Sequence, residues 1–523
     1  MFGPIFLREW LVAPRRARFY VQRVVFVASL FSLVCTAWAL MAGIQQVRNI
    51  GDLSRFGALV FQIVAPLELI VAMFLAAVTA ANSVCHEKDR RTLVLLLLTR
   101  LTNSQIVVGK LAASLVTIFS LILASAPLLL LIALMGGVTD IQVGMALLLI
   151  AVTSWWCGAL ANLIAFWREK TFQTLAITVL SIAGWVVFCE VIAADVLLNV
   201  DPAWATTLSP IRALWAVCLP IGVSPEAPPT LPPPLIHAAL GSMVAMLLSA
   251  ITVARLRVWN PSRELRPRTP EPDEDYLPGV SRDGATERSW RVRPPRRMWN
   301  NPVLWREVRT WAYGRKLLFI RVAYLALFLV ACGGVYWSVR TGVALQRSRL
   351  ADELVPVSAR ILAPFFVVSF VMINALGVNS VTNERDGQAL DLLLATQITP
   401  AQFLFGKLLG VLYVTKEMVL LPIALSIYLW SQGGLSAENL LFVIGGLVTM
   451  DLFAAMLGIH CGMIYSQSRT AIATSLGTLF FPFPGNCHLH DDHDQLPRFL
   501  CAAVATVSGD HPRRRDGLVR GHG

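Results

Sequence analysis

Carboxylates, threonines and lysines are scarce in this chain, and twice they fall in the same order between long apolar runs. The first copy reads His86-Glu87-Lys88-Asp89, passes Leu93 and a leucine run to Thr99 and Thr102, and closes with Gly109-Lys110-Leu111. The second reads Asn383-Glu384-Arg385-Asp386, passes Leu390, Thr396 and Thr399, and closes with Gly406-Lys407-Leu408. One constant shift superposes these positions. The chemistry on offer is that of docking. A threonine hydroxyl at 102 or 399 can cap the helix that follows, by accepting from an orphan N–H. Glycine admits close packing, and Lys110 and Lys407 have stems long enough to snorkel to the membrane surface. The leucines at 95–98 are too few to span a bilayer and suit a short helix pressed against the membrane or a partner. A polar loop written twice at a membrane surface implies that something docks there twice.

Catalytic chemistry is excluded by the same residues. A P-loop needs G-x-x-x-x-G-K-[ST] to cradle phosphates and bind magnesium. Here leucine follows each Gly-Lys, and Ser104 and Ala401 stand where the first glycine belongs. There is no nucleophile–base arrangement, and the nine cysteines show no metal-ligand or paired spacing. The formal charge of +12 comes from arginines between apolar runs, and with no binding motif beside it, it does not point to nucleic acid. Charges inside or near apolar runs are Glu68, Glu190, Asp195, Lys416, Glu417 and Asp451. Burying a charge in lipid is expensive, so these are either functional or paired between helices. Glu190 and Asp451 are the two candidates for substrate contact. Lys416 and Glu417 are adjacent and do not share a helical face.

The elements that must hold these residues follow from composition. The chain has 523 residues, 56% hydrophobic and 15% charged, against about 25% charged in soluble domains. Apolar runs of membrane-spanning length recur, without the alternation of a barrel. An all-α polytopic membrane protein is expected. Residues 2–23 predict an interfacial amphipathic helix broken at Pro14, with spans near 24–44, 58–84, 107–135, 143–166, 174–199 and 235–256. Lys and Arg gather before the first span, in 86–110, near 168–170 and after 255, which puts the N-terminus and the repeated loops on the cytoplasmic side of the cell membrane. The segment 200–234 suits an outer loop or short cap. Residues 257–300, rich in proline and mixed charge, read as a disordered cytoplasmic linker, whose basic end can meet anionic lipid.

The chain then begins again. Asn301-Pro302-Val303-Leu304-Trp305-Arg306-Glu307 echoes Gly3-Pro4-Ile5-Phe6-Leu7-Arg8-Glu9, and spans are predicted near 317–338, 360–382, 405–430, 438–465 and from 471. Two parallel repeats of about six spans are expected, related by an axis along the membrane normal. They occupy residues 1–256 and 301–482, each opening on an elbow helix, and the second is incomplete. Residues 483–523 resemble nothing in the first half. Despite histidines at 488, 490 and 493, that tail reads as an out-of-frame end rather than a metal site.

With the elbow at Pro4, Arg8 and Glu9, repeated at Pro302, Arg306 and Glu307, and the doubled loop, the chain resembles the permease subunit of ABC transporters of the type-2 exporter class, two halves fused in one. The resemblance implies that Glu87, Asp89, Leu93, Thr99, Thr102, Gly109 and Lys110, with Glu384, Asp386, Leu390, Thr396, Thr399, Gly406 and Lys407, form coupling loops for a pair of ATPase subunits. ATP and magnesium would then be bound by those partners and no cofactor by this chain. Two other readings stand beside it. An ion-coupled secondary transporter with parallel repeats would want paired ionisable residues in corresponding spans, and a non-transporting membrane scaffold would want none.

Overall fold

The computed structural model describes residues 4–12, 17–44, 49–90, 92–168, 171–193, 203–219, 232–260, 301–309, 316–341, 357–386, 389–465 and 467–480. Every regular element among them is helical. Ten helices are long and apolar enough to cross a membrane. The chain is therefore an all-α polytopic membrane protein, since only helices satisfy every backbone donor within one segment in lipid.

The first set opens with the short α1 (Pro4–Val12), followed by α2 (Ala17–Ile44), α3 (Ile50–Asp89), α4 (Thr92–Leu98), α5 (Asn103–Leu134), α6 (Asp140–Trp167) and α7 (Thr171–Ala193). Two short helices, α8 (Ala203–Leu208) and α9 (Pro210–Cys218), precede α10 (Pro233–Trp259). The second set comprises α11 (Pro302–Arg309), α12 (Lys316–Arg340), α13 (Val357–Asp386), α14 (Ala389–Leu394), α15 (Pro400–Ser431), α16 (Ala437–Ile464) and α17 (Ser468–Phe480).

Neighbour relations recur between the sets. Helix α3 packs on α5 and α6 as α13 packs on α15 and α16, and each elbow lies against the helix after the loop, α1 on α5 and α11 on α15. The sets meet where α7 lies against α12 and α13, while α17 touches α3. Small residues set the closest approach. A Cβ on Gly458 of α16 would fall 2.4 Å from the carbonyl oxygen of Asn374 on α13, and one on Gly462 would fall 2.9 Å from that of Val378. Helices in lipid associate through such backbone contact, having no hydrophobic force between them. The matching positions on α6 are Ala161 and Ala165, both buried. Prolines interrupt α3 at Pro66 and α13 at Pro364.

Two expectations change. Helix α10 runs to Trp259, so the segment read as a linker from 257 opens inside a helix, with Arg257 donating to Asn103 at 2.9 Å. The linker from 261 onward lies outside the described residues. The segment 200–234 contains the helical pair α8–α9. Gln142 donates to the carbonyls of Val217 at 2.9 Å and Leu219 at 3.0 Å, and Gln62 donates to that of Cys218 at 3.2 Å. These amides satisfy the C-terminal carbonyls that a short helix leaves open. The fifth span predicted from 471 opens as α17, described to Phe480, and its continuation lies outside the described residues. Residues 483–523 and Asp195 lie outside the described residues.

Candidate functional site

Each repeated loop is built the same way. The helix before it ends at the Glu-x-Asp, a short leucine helix follows, and a threonine caps the next span. Thr102 accepts from the backbone of Gln105 at 3.3 Å, while the Gln105 side chain accepts from the Thr102 backbone at 3.1 Å. Thr399 and Gln402 repeat both bonds at 3.3 and 3.1 Å. These are reciprocal capping boxes that satisfy two orphan donors each. Thr99 and Thr396 each turn a hydroxyl back to a carbonyl three residues earlier, both at 2.6 Å.

The two lysines do not snorkel. Lys110 Nζ turns inward to the Ser83 carbonyl at 3.2 Å and the Glu87 carboxylate at 3.1 Å. Lys407 Nζ makes the corresponding bonds, to Ser380 at 2.9 Å and Glu384 at 2.5 Å, and meets Glu307 of the elbow at 2.6 Å. Its side chain is 1% exposed. An ammonium surrounded by carboxylates has its charge met on the spot, so it can be buried rather than extended to water. Glu87 also accepts from the Thr92 hydroxyl at 2.5 Å. Elbow arginines complete both clusters. Arg306 bonds Glu384 directly and approaches Glu307 at 3.3 Å, and Arg8 acts electrostatically on Glu87. Glycine makes room for the second elbow, since a Cβ at Gly406 would fall 2.8 Å from Val303 and one at Gly410 would fall 2.7 Å from Glu307. The basic residue after each glutamate reaches the end of the fourth span of its set. Lys88 donates to the Phe166 carbonyl at 2.7 Å, and Arg385 donates to that of Gly462 at 3.1 Å.

Glutamate, lysine and elbow arginine thus form a clamp that fixes the loop to its own helices. What the loop presents outward is different. Leu93 is buried beneath α4, whereas Leu95 and Leu98 are exposed, as are Thr99 and Thr102. On α14, Leu390 is half-buried and Leu392 is 73% exposed, with Thr396 and Thr399 exposed beside it. Gly109 is buried. Asp386 accepts from Ser468 at 2.9 Å, and the Asp89 side chain lies outside the described residues.

The substrate candidates separate. Glu190 is paired with Arg212 through both oxygens, Nε at 2.9 Å and an Nη at 2.6 Å. Arg212 sits on α9, in a segment that the sequence places in an outer loop, and no periodicity in the sequence relates it to Glu190. Asp451 accepts from Ser369 at 2.6 Å, and its second oxygen has no partner among the described residues. Glu68 is fully buried with Ser125 on one oxygen and nothing on the other. Glu417 approaches Arg321 at 4.0 Å, while Lys416 lies over the Tyr413 ring at 4.5 Å, on the separate faces expected of adjacent residues. No cluster of metal-ligating side chains occurs among the described residues.

No family model matches the chain. A stretch of 75 residues, 14% of this chain, is 43% identical to the receptor for retinol uptake STRA6 of Rattus norvegicus. It covers 10% of that receptor, so the chain spans about a tenth of the length of the curated relative it matches.

Proposed function

We propose that the chain is the membrane-spanning permease component of an ABC transporter, with two permease halves fused as parallel repeats, moving a substrate outward across the cytoplasmic membrane on ATP hydrolysed by separate subunits. The observation that carries this reading is the doubled clamp. In each half a buried lysine on the span after the loop bonds the glutamate that ends the span before it, and an elbow arginine acts on the same glutamate. A short leucine helix is left facing outward. Such a platform supports a pair of docked ATPase subunits, because a push on α4 or α14 arrives where fixed ion pairs join the two flanking spans.

The intramembrane carboxylates favour this reading over an ion-coupled carrier. Glu190 is neutralised by Arg212, and Glu68 is matched by no acidic residue in α13, nor Asp451 by one in α6. The likeness to the retinol receptor covers too little of that protein to bring its activity to this chain. The test is purification of the tagged chain from its native membrane. A P-loop ATPase should accompany it and should be lost in the double variant Leu95→Asp/Leu392→Asp, whose monodispersity should match the parent. Purification without any ATPase overturns the proposal.

A further inference from the structure

A cavity of about 480 Å³ lies between the two sets of helices, walled by α3, α7, α9 and α13. Its lining is apolar, with Met73, Phe74, Val186 and Val367 among the walls, and its charge comes from Glu190 and Arg212. It sits far from the repeated loops. Pro364 lies about 30 Å along α13 from Glu384 by helical rise, and Met73 about 21 Å along α3 from Glu87. The volume is that of a site for one small organic molecule.

The ion pair decides what kind of molecule. Each oxygen of Glu190 accepts one bond from Arg212, and that carboxylate is buried. Arg212 commits Nε and one Nη to it, keeps a second Nη, and is 22% exposed. The pair therefore offers N–H donors while its net charge is zero. An anionic headgroup would gain Arg212 but meet Glu190 beside it and bring its own desolvation cost. A cationic one would meet the Arg212 charge beside the carboxylate and pay its own desolvation cost. A neutral acceptor is stripped of water cheaply and receives a hydrogen bond from a charged donor.

We propose that this cavity binds a neutral, largely apolar molecule carrying a hydrogen-bond acceptor of the ester, ketone or ether kind, held by Arg212, with Glu190 positioning the guanidinium. The inference rests on the permease reading, since it names the class of its cargo. Binding is read on the chain alone, so ATPase capture and cavity binding can fail separately.

The test uses the full chain in lipid nanodiscs with photoreactive palmitoyl probes that share one hydrocarbon tail and end in a methyl ester, an ionised acid or an amine. Labelled peptides are mapped by mass spectrometry. The ester should label peptides around Val186 and Val367 at roughly tenfold lower concentration than the acid or amine. Val186→Trp, or Val367→Phe from the opposite wall, should fill the space and remove that labelling. Glu190→Leu/Arg212→Leu, which deletes both charges together, should keep tail labelling and abolish the preference for the ester. Equal labelling by the acid or amine, labelling that survives both filling variants, or labelling confined to the lipid-facing Leu452 and Met456 overturns the proposal.

Discussion

Replacing Lys407 by methionine should release the second elbow helix from α15. Lys407 meets Glu307 at 2.6 Å and Glu384 at 2.5 Å. Methionine keeps the stem but leaves Glu307, only 2% exposed, facing Arg306 alone. Removing one partner of a buried ion pair costs about 3–5 kcal/mol, or roughly a hundred- to several-thousand-fold in an opening equilibrium at ~1.4 kcal/mol per decade. Because α11 is a short helix held on α15, its opening is read directly by amide hydrogen exchange of residues 302–309 in nanodiscs, each variant against the parent chain. Exchange there should accelerate at least a hundredfold in Lys407→Met. In Lys407→Met/Glu307→Gln, which removes the orphaned charge too, most of the protection should return. Unchanged exchange in Lys407→Met, or no recovery in the double variant, would refute the burial reasoning.

Three further outcomes follow from the packing. Gly458→Ala should destabilise the chain by about 1–3 kcal/mol through overpacking against the Asn374 carbonyl, measured as loss of monodisperse protein on heating, whereas Gly445→Ala, with open space at its Cβ, should be neutral. Arg212→Leu should cost about 3–5 kcal/mol by stranding buried Glu190, and adding Glu190→Leu should return most of it, which thermal stability in detergent can score. Glu68→Gln should leave stability unchanged or raise it, because an amide is cheaper to bury than a carboxyl with one bare oxygen. A drop of more than about 1 kcal/mol in that variant would point to a use for the carboxylate that packing does not reveal.

Helices and spans were legible because length and apolarity alone decide them, and the capping threonines because a hydroxyl followed three residues later by glutamine is a local pattern. Lys110 and Lys407 were placed at the right positions with the wrong direction. A lysine beside a span end snorkels by default, and only the fold brings Glu87 or Glu384 back to it, 23 residues away in each case. Arg212 was invisible as a partner of Glu190 for a related reason, since the two stand 22 residues apart on different helices and no periodicity relates them. The helical pair α8–α9 escaped notice because two helices of 6 and 9 residues leave little periodic trace, and amides on distant helices hold the end of α9. Whatever is settled within one or two helical turns could be read, and whatever needs two distant segments to meet could not.

The backbone contact of Gly458 with Asn374 has a mechanical consequence. Two helices that touch main chain to main chain have no compressible side-chain layer between them, so α13 and α16 behave as one stiff rod. The matching positions on α6 are Ala161 and Ala165, both buried, and a methyl at each denies the first half the glycine approach that stiffens the second. A tilt applied at the Glu384 end of α13 is carried undiminished toward Pro364, where the proline breaks the hydrogen-bond ladder and gives the rod its joint. The two halves are thus a stiff lever and a softer one, hinged at the same depth.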